Sequence, residues 1–318
     1  MFKSVTLLFP GQGSQHVGMG KELEGRPSFN LFKKADDILG YNLSSICFNG
    51  PEEQLTLTAN TQPALLTHSV AIWQNVKELL DSKGVAVNRV LGHSIGEYSA
   101  LVAAGALSFE DAVMAVHLRG KFMQEAVPQG KGKMYAIMRA SEEKVVEACE
   151  LASDKSKGEI VTAANFNEPG QTVISGHAAA CDRAAKWIEA NVDGRTKALE
   201  LKVSAPFHSP LMEPAANNLA AAFSKFKFLP LKTPYIANIN ATEYPIETSG
   251  DVIRQNLIDQ VCGSVQWSKS IAKLDSNTLC LEIGTGRVLA GLVRKINRDI
   301  KVLSMEFEDS YTELKGMI

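Results

Sequence analysis

The segment VLGHSIGEYSALVAAG, residues 90–105, places one serine, Ser94, between Gly92 and Gly96, with His93 and Ile95 in the intervening positions. A G-x-S-x-G match arises by chance in roughly one chain of this size in ten. Its setting is more informative, because VNRVL (87–91) reads as a short strand entering the motif and EYSALVAAGAL (97–107) as an apolar helix leaving it. Strand, tight turn and helix is the context of a nucleophile elbow. Glycines beside the serine remove Cβ atoms from a strained turn, and the helix amino end offers backbone N–H groups to a developing oxyanion. The Ile95 N–H is the natural donor.

A serine nucleophile needs a base, and six histidines are available: His16, His68, His93, His117, His177 and His208. His68 and His117 lie within expected helices and read as satisfied structural residues. His177 opens a helix and reads as a surface residue. His93 adjoins Ser94, but neighbouring side chains around a sharp turn point apart, so it is expected to support or line the site, among the residues contacting substrate. His208 sits in VSAPFHSPLMEP, where Pro206 and Pro210 fix the backbone. A rigid loop is a reasonable place for a base, and a structural loop histidine is the alternative.

The helix SFEDAVMAVHLRGKFMQEA opens with the capping box Ser108-x-x-Asp111. At 100° per residue Ala112, Ala115, Val116, Phe122, Met123 and Ala126 share one stripe with Arg119 in its middle, whereas Lys121 projects from the opposite face. A guanidinium on a buried stripe requires an anion. That anion is either a carboxylate of the core or a substrate carboxylate held by the planar fork of the arginine. FPGQGSQ (9–15) fails the dinucleotide-binding glycine spacing. As a loop after the first strand it can still present backbone N–H groups, and Gln12 could give the second oxyanion donor.

The elements that must position these residues alternate strand and helix before residue 130: SVTLLF, LFKKADDILG, a helix starting at Pro63, then the Ser94 unit and another helix. Such alternation indicates parallel strands in an α/β layer. PQGKGK (128–133) interrupts it. Beyond it MYAIM, SEEKVVEACELASD, EIVTAANF, TVISG, AAACDRAAKWIEAN and KALELKV follow the order β-α-β-β-α-β, the ferredoxin-like arrangement. From SAPFHS onward the chain rejoins the larger unit, with a helix after Pro214, strands YIAN and TLCLEIG, and a helix VLAGLVRKI. The expected fold is an α/β-hydrolase-like larger domain with a parallel sheet core, residues 1–129 and 205–318, and a ferredoxin-like subdomain inserted over 130–204.

At 318 residues, 45% hydrophobic and 21% charged, with a formal net charge of −2, the chain has the composition of a soluble globular protein and gives no reason to expect nucleic-acid binding. Five scattered cysteines, Cys47, Cys149, Cys181, Cys262 and Cys280, lack any C-x-x-C pair. They read as inert thiols in a reducing compartment, with no metal site. MFKSVTLLFPGQGSQ reads as a first core strand and not as a leader peptide or membrane span.

Taken together, FPGQGSQ, GHSIGEYSALVAAG, the RG pair at 119–120, NFNEPGQTVISG and VSAPFHSPLMEPA resemble the malonyl-CoA:acyl carrier protein transacylase family of bacterial-type fatty acid synthesis. The resemblance runs in order over almost the whole chain. It implies ping-pong acyl transfer through a serine ester, with Ser94 as nucleophile, His208 as base, Arg119 on the malonyl carboxylate, and Gln12 and Ile95 as oxyanion donors. It further implies that the backbone carbonyl of Gln260, in the loop DQVCGSVQW, orients His208. Phe207 and Ile95 match the family pattern that goes with malonyl over methylmalonyl. Malonyl-CoA and holo acyl carrier protein are the implied partners, and no cofactor is implied because the acceptor carries its own phosphopantetheine. A cytoplasmic monomer is expected. Because acyl carriers are acidic, Lys131, Lys133, Lys225, Lys227, Arg287 and Lys295 are possible docking charges. The rival readings are a serine hydrolase or thioesterase, with Asp111, Asp154 or Asp182 orienting the base, and an inactive carrier-binding module.

Overall fold

The computed structural model describes residues 1–128, 130–192 and 194–318. Strand β1 (Ser4–Phe9) is the run of apolar residues expected of a strand covered on both faces, with Val5 through Phe9 buried. Short helices α1 (Asn30–Leu39), α2 (Leu43–Asn49) and α3 (Glu52–Leu55) lead to the long α4 (Thr58–Lys83). That helix begins five residues before Pro63, the expected start. Pro63 has no N–H to give the carbonyl one turn back, at Ala59, so a continuous helix would orphan that acceptor. The ring of His117 fills the gap, its Nδ1 donating to the Ala59 carbonyl at 3.1 Å.

Strand β2 (Ala86–Gly92) lies parallel to β1 and turns at Ser94 into α5 (Gly96–Ala103), followed by α6 (Phe109–Glu125). Helix α5 stops short of the expected Leu107, because the chain turns at Gly105 with φ 73°. The Ser108 hydroxyl caps α6 by accepting the Asp111 N–H at 3.0 Å. Gly120 lets α6 lie against α4: a Cβ there would stand 2.5 Å from the Thr58 carbonyl oxygen.

The next segment runs β3 (Gly132–Met138), α7 (Glu142–Ala152), β4 (Val161–Glu168), β5 (Gln171–His177), α8 (Ala178–Asn191) and β6 (Lys197–Glu200). Its antiparallel sheet has the order β4-β5-β3-β6, which is the ferredoxin-like topology. Strand β6 is shorter than KALELKV. Gln129, at the expected domain boundary, lies outside the described residues.

The chain then forms α9 (Glu213–Phe223), β7 (Tyr235–Ile236), β8 (Glu243–Tyr244), α10 (Gly250–Cys262), α11 (Trp267–Ala272), β9 (Leu279–Glu282), α12 (Val288–Ile296), β10 (Lys301–Ser304) and α13 (Glu308–Met317). The larger sheet has the order β10-β9-β1-β2-β7-β8, parallel except for the β7–β8 pair. β1 is therefore flanked by β2 on one side and β9 on the other. A crevice outside the carboxyl ends of strands at such a switch is the usual ligand site of open α/β sheets. The smaller sheet is fixed to this layer by a parallel bridge between Asn165 and Val265, in which the Phe166 N–H donates to the Val265 carbonyl at 2.9 Å.

All five cysteines are free thiols, and burial pushes Cys47, Cys149, Cys181 and Cys280 up to about 12 and Cys262 up to about 11. His68 is buried, with Nε2 2.5 Å from Glu22 Oε1, and His177 Nδ1 accepts the Ile160 N–H at 3.0 Å. Both have structural partners away from the serine, although the buried His68 Nδ1 has none among the described residues. No helix of the described residues is long and apolar enough to cross a membrane.

Candidate active site

Ser94 has φ 51°, a left-handed conformation that costs a non-glycine residue of order 1–3 kcal/mol and persists only where its surroundings over-determine it. The surroundings here are specific. The Ser94 N–H donates to Asn238 Oδ1 at 2.7 Å, and the Ser94 carbonyl accepts Gln260 Nε2–H at 3.0 Å. Asn238 is held in turn, its Nδ2 donating to the Gly92 carbonyl at 2.6 Å. Both motif glycines are required by close approach: a Cβ on Gly92 would meet the Gly96 carbonyl carbon at 2.1 Å, and one on Gly96 would meet the Phe9 carbonyl oxygen at 2.1 Å. The helix is thereby brought against the end of β1.

The Ser94 hydroxyl lies 2.7 Å from His208 Nε2, and His208 Nδ1 lies 2.9 Å from the Gln260 backbone carbonyl. A carbonyl only accepts, so Nδ1 carries the proton and Nε2 is left as the acceptor for the serine hydroxyl. This is the geometry of a base-activated hydroxyl. Gln260 lies inside α10 and not in a loop as expected. Its position in the last turn is what frees its carbonyl, since the last four carbonyls of a helix have no intrahelical partner. The same helix end favours positive charge on the ring that it orients. Burial, then the nearby Arg119 charge, pushes His208 down to about 3.

Arg119 is 1% exposed. Its Nη2 donates to Gln260 Oε1 at 2.8 Å and to Ser94 Oγ at 3.3 Å, while its Nε has no hydrogen-bond partner among the described residues. Burial lowers its pKa, opposed by Tyr98 and Glu97, yet a guanidinium stays charged in proteins. None of its nitrogens has a carboxylate oxygen within 4.0 Å among the described residues. No core carboxylate among them therefore pairs with it directly. The guanidinium borders a cleft of about 200 Å³ together with Gln12, Gln62, His93, Ser94, Met123, Asn167, Phe207 and His208.

Of the other expected residues, Gln12, His93 and Phe207 line the same cleft, and Ile95 adjoins it next to Ser94. Gln12 follows β1, and the β1 end is tied to the elbow by the His93 N–H donating to the Phe9 carbonyl at 2.9 Å. The N–H groups of Gln12 and Ile95 have no hydrogen-bond partner among the described residues and are free to meet an oxyanion. His93 Nε2 lies 2.8 Å from Asn167 Oδ1, so it supports the cleft wall and does not touch the serine hydroxyl. Burial lowers its pKa. Phe207 is buried beside His208.

A family model described as an acyl transferase domain matches residues 6–284. The chain belongs to the acyltransferase family. It is 45% identical over 307 residues to the malonyl CoA-acyl carrier protein transacylase of Bacillus subtilis (strain 168), covering 95% of this chain and 93% of that protein. The structure of the malonyl CoA-acyl carrier protein transacylase of Coxiella burnetii superposes with a TM-score of 0.91 at 38% identity, over 99% of this chain and 97% of that one. A malonyl-transacylase solved in complex with its type II PKS acyl-carrier protein superposes with a TM-score of 0.90 at 39% identity, over 99% and 100% of the two chains.

Several residues of this acyltransferase site lie outside the motif reading. Asn238 ends the segment read as a strand, and Glu97 sits in the helix after the elbow. An acidic side chain in the otherwise apolar helix GEYSALVA was the available signal for Glu97, because a buried charge must have partners. Asn238 gave none. The carboxylates offered for a hydrolase triad are engaged elsewhere: Asp111 accepts the Lys227 N–H, Asp154 pairs with Ser156 and Lys157, and Asp182 with Lys133 and Tyr135. Of the possible docking charges, Lys133 is tied to Asp182 and Lys295 to Glu168, both at 2.9 Å, and Arg287 stacks over the Phe307 ring.

Proposed function

We propose that this acyltransferase moves a malonyl group from malonyl-CoA to the phosphopantetheine thiol of acyl carrier protein, for fatty acid biosynthesis. The single observation that carries the reading is Arg119: a buried guanidinium with no carboxylate in direct contact among the described residues, 3.3 Å from the hydroxyl that would be acylated. An acyl group ending in a carboxylate supplies a direct anionic partner, and an acetyl group supplies none. In the first half-reaction Ser94 gives its proton to His208 Nε2 and attacks the thioester carbonyl, with the oxyanion facing the Gln12 and Ile95 N–H groups. Collapse expels the thiolate of coenzyme A, which takes the proton back from His208. The second half-reaction reverses these steps with the carrier thiol. The malonyl carboxylate would also offset the Arg119 charge that depresses His208, so the proper acyl group restores strength to the base.

Malonyl over methylmalonyl is assigned to Phe207, whose buried ring lines the cleft with His208 and would crowd an α-methyl group. A discrimination of about 1–3 kcal/mol is reasonable for one methyl. The reading requires no cofactor. It takes residues 130–204 as an inserted unit that closes over the site held by 1–129 and 205–318, and it describes a cytoplasmic monomer. The carrier-bound relative and the names of the curated relatives support malonyl transfer to a carrier. Intact-mass analysis after incubation with malonyl-CoA tests it. A malonyl adduct mapping to Ser94 and lost in Ser94→Ala is expected; an adduct that persists in that variant refutes the assignment.

A further inference from the structure

Glu97 is fully buried one turn beyond the serine, and neither half-reaction above uses it. Its Oε2 accepts Gln260 Nε2–H at 2.6 Å, and both carboxylate oxygens lie 3.4 Å from the Asn238 N–H. Gln260 is the middle of a relay: the amide that donates to Glu97 accepts from Arg119 through its other end at 2.8 Å. The groups facing Glu97 are Arg119 on α6, Tyr235 on β7, the adjacent Tyr98 on its own helix, and the neutral amides of Gln260 and Asn238. Arg119 is the one cation among them. Glu97 is thus a buried carboxyl that reaches the buried guanidinium through a single amide.

We propose that Glu97, when ionised, acts on Arg119 indirectly through the Gln260 amide and takes up a proton from solvent when the carboxylate of an acyl group docks on that guanidinium. Two carboxylates sharing one buried cation would leave a net negative charge in a dry site, and protonating the more enclosed one removes it. Glu97 is the more enclosed. Burial raises it to about 8 before any ligand arrives, opposed by Gln260, Asn238 and Arg119. A ligand carboxylate on Arg119 weakens the last of these and raises Glu97 further. The role is one of positioning and charge compensation, since the Glu97 carboxylate is bonded to Gln260 and Asn238 and not to the Ser94 hydroxyl or His208. The inference rests on malonyl recognition by Arg119.

The test uses Ser94→Ala, which stops at binding, and follows the affinity for malonyl-CoA and acetyl-CoA from pH 7 to pH 9 together with proton uptake in weakly buffered solution. The account expects malonyl-CoA to bind about tenfold more weakly at pH 9 than at pH 7, with most of a proton taken up per malonyl bound at pH 9. It expects neither effect for acetyl-CoA, which shares every ionising group of the coenzyme. Adding Glu97→Gln, which preserves volume, should abolish both the uptake and the pH dependence while malonyl still binds. Malonyl binding without uptake in the Ser94→Ala protein overturns the inference and leaves the malonyl reading standing. Equal affinity for the two donors overturns both, and this arm does not depend on the glutamine variant folding.

Discussion

Replacing Arg119 by alanine would remove the cation and leave its buried surroundings in place. A malonyl carboxylate delivered there would meet Gln260 Oε1 in place of a guanidinium, and stripping one partner from a buried ion pair typically costs about 3–5 kcal/mol. At about 1.36 kcal/mol per factor of ten, acylation by malonyl-CoA should fall by roughly two to three and a half orders of magnitude. Acetyl-CoA has no carboxylate to lose, so its slower acylation should change by less than about tenfold. The Ser94–His208 hydrogen bond does not involve Arg119, and His208, lowered mainly by burial, loses the charge that depresses it further. The assay is competition between the two donors for Ser94, read by intact mass at short times, so that expression level and folding cancel in the ratio. A ratio moving toward acetyl by about a hundredfold or more supports the argument. Equal losses for both donors would refute it, since they would show Arg119 acting only as scaffold.

Two further outcomes follow from the same geometry. His208 accepts a proton only when neutral, and it is held at about 3, so kcat/KM should stay flat as pH falls through 6.5 and decline well below it; Arg119→Ala removes one depressing charge and should move that decline upward when measured with acetyl-CoA. An acid limb centred at 6.5 in both proteins would contradict the proposed environment of the ring. Gly96→Ala drives a Cβ to 2.1 Å from the Phe9 carbonyl oxygen between two rigid elements and should cost about 3 kcal/mol or more of stability. Gly291→Ala in α12 meets nothing within 4 Å and should be neutral or stabilising by up to about 1 kcal/mol, so equal denaturation midpoints for the two variants would refute the close-approach argument.

Much of the site was legible in sequence because its chemistry is concentrated in short-range patterns. Ser94 is flanked by glycines that the β1 and α5 backbones leave no room to replace, and Arg119 interrupts an otherwise apolar stripe. His208 was less determined: prolines suggested a rigid loop, but only the fold brings it to Ser94 across 114 residues of chain. Gln260 was available only through the family resemblance, and its place in a helix, which explains its free carbonyl, was not read at all. Asn238 and the Glu97 relay depend on contacts between residues more than 140 positions apart, which no local pattern encodes. The misplaced start of α4 has a similar cause. Pro63 is a valid helix start by local rules, and the rescue of the Ala59 carbonyl comes from His117 on another helix.

The central claim is that the acyl group on Ser94 is handed to a thiol and not to water. It is tested most directly by isolating the malonyl-Ser94 protein, free of malonyl-CoA, and adding holo acyl carrier protein while following both species by mass. The account predicts that the adduct persists in buffer alone and disappears on addition of the holo carrier, with malonyl appearing on its phosphopantetheine and none on an apo carrier. Loss of the adduct as free malonate at the same rate with and without the carrier would contradict it and return the protein to the serine hydrolases.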